Sequence, residues 1–130
     1  MPVGHKLFET HPIILTVMSG EINFQDVRSY CAVIDNYLRQ HKLSKVYWIV
    51  DAWNITFSRD TIIQTAEATK NALPGSGGDP RVVPLVIMPQ ERYAYVEDEL
   101  KNRHFTLQYP LFHTIHDAYS FALFLSENTH

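Results

Sequence analysis

The chain alternates short, continuous apolar runs with longer segments in which apolar residues recur every three or four positions. A short apolar run between turn residues is typical of a buried strand, whereas the three-to-four spacing is typical of one face of an amphipathic helix. Residues 6–10 add a short strand that is predicted to pair antiparallel with the first run, with the turn near His11 and Pro12. The apolar runs themselves predict strands at residues 13–18, 46–50, 82–88 and 111–113.

The helical spacing predicts four helices, each after one of these runs. The first begins at Phe24 and continues for about five turns, with Cys31 and Ile34 on its apolar face. The second ends before Pro74 and Gly75, because proline and glycine terminate helices. Each helix follows a residue suited to a helix start, and these residues are Asn23, Ser58, Pro89 and Thr114.

The order of elements is strand, strand, helix, strand, helix, strand, helix, strand, helix. Alternation of this kind builds a mostly parallel sheet with helices on both sides, joined by right-handed crossovers. The sequence therefore predicts an α/β fold made of a single domain over residues 1–130. Its sheet is mostly parallel and four- to five-stranded, with an antiparallel N-terminal edge strand and about four helices.

Proline or glycine interrupts the pattern in two segments, the apolar run that contains Pro84 and the connection at residues 74–80. Pro84 cannot donate to a ladder, so its strand starts at Leu85, lies at an edge or carries a bulge there. Residues 74–80 follow a helix and enter a strand, which is the reverse of a phosphate-binding loop. We therefore expect residues 74–80 to form a mobile connection on the face opposite the functional site.

The composition narrows the classes of protein that fit this fold. With 45% apolar and 19% charged residues, a chain of 130 residues can fill a core. Its net charge of −3 comes from acidic and basic residues spread along the chain, so nothing predicts binding to nucleic acid. No apolar run approaches the ~20 residues that a membrane span needs, and Cys31 is the only cysteine, so we expect a cytoplasmic protein.

Three segments resemble parts of the STAS-like superfamily, which includes bacterial anti-sigma factor antagonists and the cytoplasmic tails of anion transporters. They are residues 17–22 before the first helix, 50–57 after the central strand, and 112–118 at the last helix. In the antagonists an Asp-Ser-Ser-Gly motif ends the second segment and its serine is phosphorylated, whereas residues 58–61 here read Ser-Arg-Asp-Thr. The chain is therefore similar to the divergent, SpoIIAA-like branch of the superfamily.

Binding residues are expected where the strands end, because ligands of parallel α/β sheets gather at the carboxyl ends. The segment after the central strand combines a carboxylate, two aromatic rings and polar side chains. Ser58 or Thr61 would suit a phosphate at the start of the second helix, although plain N-capping by Ser58 explains that residue more simply. The predicted binding residues are Asp51, Trp53, Asn54, Thr56 and Phe57.

Catalytic and metal chemistry find little support in the sequence. Of seven histidines only His113 and His116 are close together, and no third ligand accompanies them, so we predict neither a metal nor a cofactor. Cys31 lies on the apolar face of a helix with no activating base nearby. No spacing of nucleophile and base stands out, so we do not expect an enzyme.

Two hypotheses for the function follow. The first is a regulatory module that binds a protein partner, or a second copy of itself, through the loop and helix after the central strand. The alternative is a carrier of a small lipid-like or nucleotide ligand at the carboxyl ends of the strands. A deep pocket under Trp53 would favour the carrier, and a flat apolar surface on the second helix would favour the interaction module.

Overall fold

The computed structural model describes residues 3–8, 11–103 and 109–128, and these residues form one five-stranded sheet with four helices. None of the described helices is long and apolar enough to cross a membrane. The strands are β1 (Val3–Phe8), β2 (Ile13–Ile22), β3 (Val46–Phe57), β4 (Val82–Ile87) and β5 (Leu111–Phe112). The helices are α1 (Phe24–Gln40), α2 (Arg59–Lys70), α3 (Gln90–Lys101) and α4 (Ile115–Asn128).

The strands lie in the order β1-β2-β3-β4-β5, with β1 antiparallel to β2 and the remaining neighbours parallel. This arrangement confirms the predicted element order and the antiparallel N-terminal edge strand. Glu9 and Thr10, which were predicted to belong to that strand, lie outside the described residues. The central strands are continuous apolar runs because helices cover both of their faces.

Two buried clusters show how the layers pack. On one face Ile14 of β2 and Val46 of β3 contact Ile34 of α1, and these side chains are essentially inaccessible to water. On the other face Ile49 and Leu85 pack against Ala118 and Ala122 of α4. A smaller cluster joins α2 to α3. Helices α1, α2 and α3 therefore lie on one side of the sheet, and α4 lies on the other.

The helix starts carry the caps that the sequence predicts. Asn23 and Asp26 form a reciprocal capping box at α1, with both hydrogen bonds 2.9 Å long. At α2 the Ser58 hydroxyl accepts a hydrogen bond from the Thr61 amide at 3.1 Å. Thr114 provides the corresponding side-chain oxygen at α4. These contacts satisfy amides that have no partner within the helix.

One prediction for strand β3 is wrong. Residues 51–57 continue the strand instead of forming a loop. They remain paired with β2 as far as Ile22 and Phe57. An irregularity in this pairing lies after Val17, where β3 takes in one extra residue before Ser19 pairs with Asn54. Pairing of this kind depends on a distant strand, so local sequence patterns do not reveal it.

Pro84 lies inside β4, and the hydrogen bonding explains why the strand tolerates it. The amides of Val86 and Met88 donate to the carbonyls of Pro110 and Phe112 on the β5 side. Alternate amides of a strand point the same way, so the missing N–H of Pro84 also faces that side. Since β5 pairs with β4 only beyond Pro84, no described ladder bond is lost there.

The connection at residues 74–80 is packed into the fold, which differs from the mobile connection that its composition predicts. Gly75 has a φ of +83°, and a Cβ there would lie 1.9 Å from the Cys31 carbonyl oxygen. Asp79 is 4% exposed and accepts hydrogen bonds from the Gly75 amide and the Arg81 side chain. The hydrogen bond from Arg81 lowers the pKa of Asp79 to about 2. Ser76 is also buried.

Candidate functional site

The predicted site residues of β3 do not form one cluster. Asp51 organises the strand, because its Oδ1 accepts a hydrogen bond from the Trp53 amide at 3.2 Å. Asn54 and Thr56 are exposed. Phe57 alone among these five faces the interior, beneath helix α2. The irregular pairing with β2 and the alternation of side chains along a strand separate the residues.

Trp53 lies outside the protein interior and is held from two sides. Its ring is 39% exposed and contacts His113 edge-on, with the ring centres 6.3 Å apart. The Arg92 guanidinium donates hydrogen bonds to the carbonyls of Trp53 at 2.8 Å and Ala52 at 3.3 Å. The Trp53 ring is therefore held in a fixed position at the surface.

A cavity of about 220 Å³ lies between the sheet and helices α1, α2 and α3, and we call it the helix-side cavity. The sheet contributes the carboxyl half of β2 and residues from both halves of β3 and β4, from Trp48 to Phe57 and from Pro84 to Val86. The cavity therefore runs along the sheet and reaches its carboxyl end, where the sequence placed the site. Of the seven predicted site residues, Phe57 and Thr61 line it. Other parts of its wall include Met18, Ile55, Val86, Cys31, Ala66 and Tyr109.

The wall of the helix-side cavity is apolar and uncharged. No described lining residue is an acid, a base or a histidine. The polar groups are hydroxyls, and several are paired with one another. Ser58 and Thr61 hydroxyls lie 3.0 Å apart, while Tyr109 hydrogen-bonds to Thr69, whose hydroxyl donates to the Thr65 carbonyl at 2.9 Å.

Thr65 differs from these hydroxyl residues. It lines the helix-side cavity from α2, and its Oγ1 is buried. Among the described residues no group hydrogen-bonds to this oxygen. Buried hydroxyls are almost always paired, so this oxygen is an exception that the contacts of the fold do not explain.

A solved structure provides a comparison for this fold. An uncharacterised protein of the DUF3478 family from Shewanella loihica PV-4, described as having a SpoIIAA-like fold, superimposes with a TM-score of 0.59. This chain has a SpoIIAA-like fold. The match covers 93% of this chain and 92% of that chain at 11% identity. No protein-family model and no curated protein matches the sequence.

The predicted resemblance is thus confirmed for the fold. At 11% identity, the comparison gives evidence about the fold alone. The chemistry of this SpoIIAA-like domain has to be derived from its own side chains. Within the described ranges no three His, Cys, Asp or Glu side chains come together as metal ligands would.

Titratable side chains at the helix-side cavity keep their protons at neutral pH. Burial raises the pKa of the Cys31 thiol to about 11. Burial also raises the pKa values of Tyr93 and Tyr109 above their ordinary value of 10.0. Loss of water disfavours the charged form of each group, so the cavity wall stays neutral. A neutral thiol is a poor nucleophile, which argues against covalent chemistry at Cys31.

Sequence reasoning missed the cavity, although α2 carried a signal for it. A helix that covers a sheet normally presents large aliphatic side chains to the core. Apart from Ile62, the inner side of α2 presents small side chains, and these are Thr61, Thr65, Ala66, Ala68 and Thr69. These small side chains do not reach the sheet, and space remains between the layers.

Proposed function

We propose that this protein binds a small, mostly apolar molecule in the helix-side cavity. The cavity itself is the observation that carries the proposal. Its wall combines apolar side chains with a few hydroxyls, which is the usual composition of a ligand site, and it reaches the carboxyl end of a parallel sheet, where such sites usually lie. This is the carrier hypothesis of the sequence analysis, with the pocket beneath α2 instead of beneath Trp53.

The size of the cavity supports a ligand. Protein interiors rarely contain voids larger than a water molecule. An engineered apolar cavity of about 150 Å³ binds benzene, and the helix-side cavity is larger at about 220 Å³.

A cavity-filling variant tests the proposal. We expect naphthalene to raise the thermal midpoint of the wild-type protein, because a ligand that binds only the folded state stabilises it. Ala66→Leu places a larger side chain in the cavity, so it should remove most of this response. Ala94→Leu makes the same change at an exposed position of α3 and should respond like wild type. Differential scanning calorimetry measures all three proteins.

Two results would contradict the proposal. One is a wild-type midpoint that stays constant up to the solubility limit of naphthalene. The other is an Ala66→Leu protein that responds to naphthalene as strongly as wild type does. If Ala66→Leu does not fold, Ala68→Val reduces the same cavity by a smaller volume and replaces it in the comparison.

The protein-interaction hypothesis remains a second candidate, and the exposed surface around Trp53 favours it. Trp53 and Val17 are each 39% exposed, and Val17 pairs with Asp51, two residues before Trp53. Tryptophan is among the residues that most often dominate the binding energy of protein interfaces. We propose that this surface binds a protein partner, and a second copy of this chain is the partner that can be tested directly.

A further inference from the structure

The unpaired hydroxyl of Thr65 narrows the class of ligand. In the described part of the chain, Thr65 Oγ1 is the only buried side-chain nitrogen or oxygen without a hydrogen-bond partner. A threonine in a helix commonly donates to the carbonyl four residues before it, as Thr69 does to Thr65. Thr65 makes no such bond to Thr61, and the residue forms part of the cavity wall, so a ligand in the cavity would lie next to this unpaired hydroxyl.

The neighbouring hydroxyls cannot easily take the place of that group. The Thr61 hydroxyl is paired with Ser58, and Tyr109 is paired with Thr69. Leaving Thr65 Oγ1 unpaired in an apolar environment costs free energy, and a ligand that supplies a donor or acceptor recovers it. A polar atom of the ligand therefore gains the most binding free energy where it hydrogen-bonds to Thr65.

The described wall carries no charged side chain, and this places a second requirement on the ligand. Among the described lining residues, no lysine, arginine or histidine can pair with a carboxylate or phosphate, and no aspartate or glutamate can pair with an amine. Moving an unpaired charge from water into such a site is strongly unfavourable. Charged fatty acids, nucleotides and amines are consequently poor occupants.

We infer that the ligand is an uncharged molecule with an apolar body and one hydroxyl or carbonyl group that hydrogen-bonds to Thr65 Oγ1. This inference rests on the proposed function. By proportion with the cavity that holds benzene, the apolar body has about nine carbon atoms, close to the size of a bicyclic ring.

Three probes of similar shape separate these properties: naphthalene, 2-naphthol and 2-naphthoate, all at pH 7. We expect the ratio of 2-naphthol to naphthalene affinity to fall about three- to tenfold in Thr65→Val, the range of one neutral hydrogen bond. Thr56→Val, the same change at an exposed position of β3, should leave the ratio unchanged. The wild-type protein should bind 2-naphthoate at least ~10-fold more weakly than 2-naphthol. Isothermal titration calorimetry gives each dissociation constant.

Each alternative outcome has a distinct meaning. If naphthalene binds but the ratio is the same in wild type and Thr65→Val, the hydroxyl does not select the ligand, and the inference fails while the proposed function stands. If 2-naphthoate binds as tightly as 2-naphthol, the requirement for an uncharged ligand fails. If none of the probes binds, both the inference and the proposed function fail.

Two further substitutions cover the case in which Thr65→Val does not fold. Thr65→Ser keeps the hydroxyl and removes the methyl group, so it should retain the wild-type affinity ratio. Thr65→Ala removes both and should lose the preference for 2-naphthol. If Thr65→Ser loses the preference for 2-naphthol as Thr65→Ala does, the methyl group and not the hydroxyl determines the affinity ratio, and the inference is overturned.

Discussion

At the scale of single residues, Cys31 shows how burial decides chemistry. The thiol is 2% exposed on the inner side of α1, where it lines the helix-side cavity. The carbonyl of the same residue lies against Gly75, so the backbone around it is tightly packed as well. Cys31 therefore behaves as a small apolar side chain, as its place in the helical pattern predicted.

We expect Cys31 to react slowly with iodoacetamide in the native protein. Only the thiolate reacts, and burial raises the pKa from 9.0 to about 11, so the thiolate fraction at pH 8 is reduced. The native rate should increase as the pH rises toward 11, provided that the fold persists. Mass spectrometry of protein alkylated with and without denaturant measures both rates. Equal rates at pH 8 would show that the thiol is accessible.

At the scale of elements, Ser58 links the end of β3 to the start of α2. Its hydroxyl accepts the Thr61 amide at 3.1 Å and lies 3.0 Å from the Thr61 hydroxyl. Thr61 is 8% exposed, so of the two candidate phosphate acceptors only Ser58 presents an exposed side chain. The contacts of Ser58 are those of an N-cap, and phosphorylation at either residue stays a prediction.

Replacement of Ser58 tests the capping role. Ser58→Ala should lower the free energy of unfolding by about 1 kcal/mol, because the Thr61 amide loses its acceptor. Ser58→Asp should be close to wild type, since aspartate is an equally good N-cap. Ser29→Ala at an exposed position of α1 is the matched control and should cause no loss. Urea unfolding measures the three values, and a Ser58→Ala protein as stable as wild type would contradict the capping role.

At the scale of the whole molecule, the two faces of the sheet carry different candidate functions. Helices α1, α2 and α3 enclose the helix-side cavity on one face, whereas α4 is the only described helix on the other. Trp53 lies outside the cavity, so binding of a ligand and association of two chains can be tested by separate substitutions.

We expect Trp53→Ala to weaken self-association while the thermal midpoint changes little, because a partly exposed aromatic anchor contributes mainly to binding. Tyr95→Ala removes an exposed aromatic ring from α3 and should leave self-association unchanged. Sedimentation equilibrium over a range of concentrations measures the association constants. A wild-type protein that is monomeric throughout, or a Trp53→Ala protein with unchanged association, would rule out this dimer surface.

The sequence by itself determined the order of strands and helices, the caps at Asn23, Ser58 and Thr114, and the burial of Cys31. Each of these features depends on residues a few positions apart, whose spacing acts directly on the local backbone.

Only the tertiary structure decided the length of β3, the packing of residues 74–80 and the position of the candidate site. Strand β3 continues to Phe57 because β2, more than thirty residues earlier in the chain, pairs with it. The helix-side cavity exists because small side chains of α2 meet a sheet and two helices that they do not fill. Phe57 and Thr61 were predicted as site residues, while Thr65 was not. The reason is physical: a void is a difference between volumes contributed by distant segments, and no local pattern contains that difference.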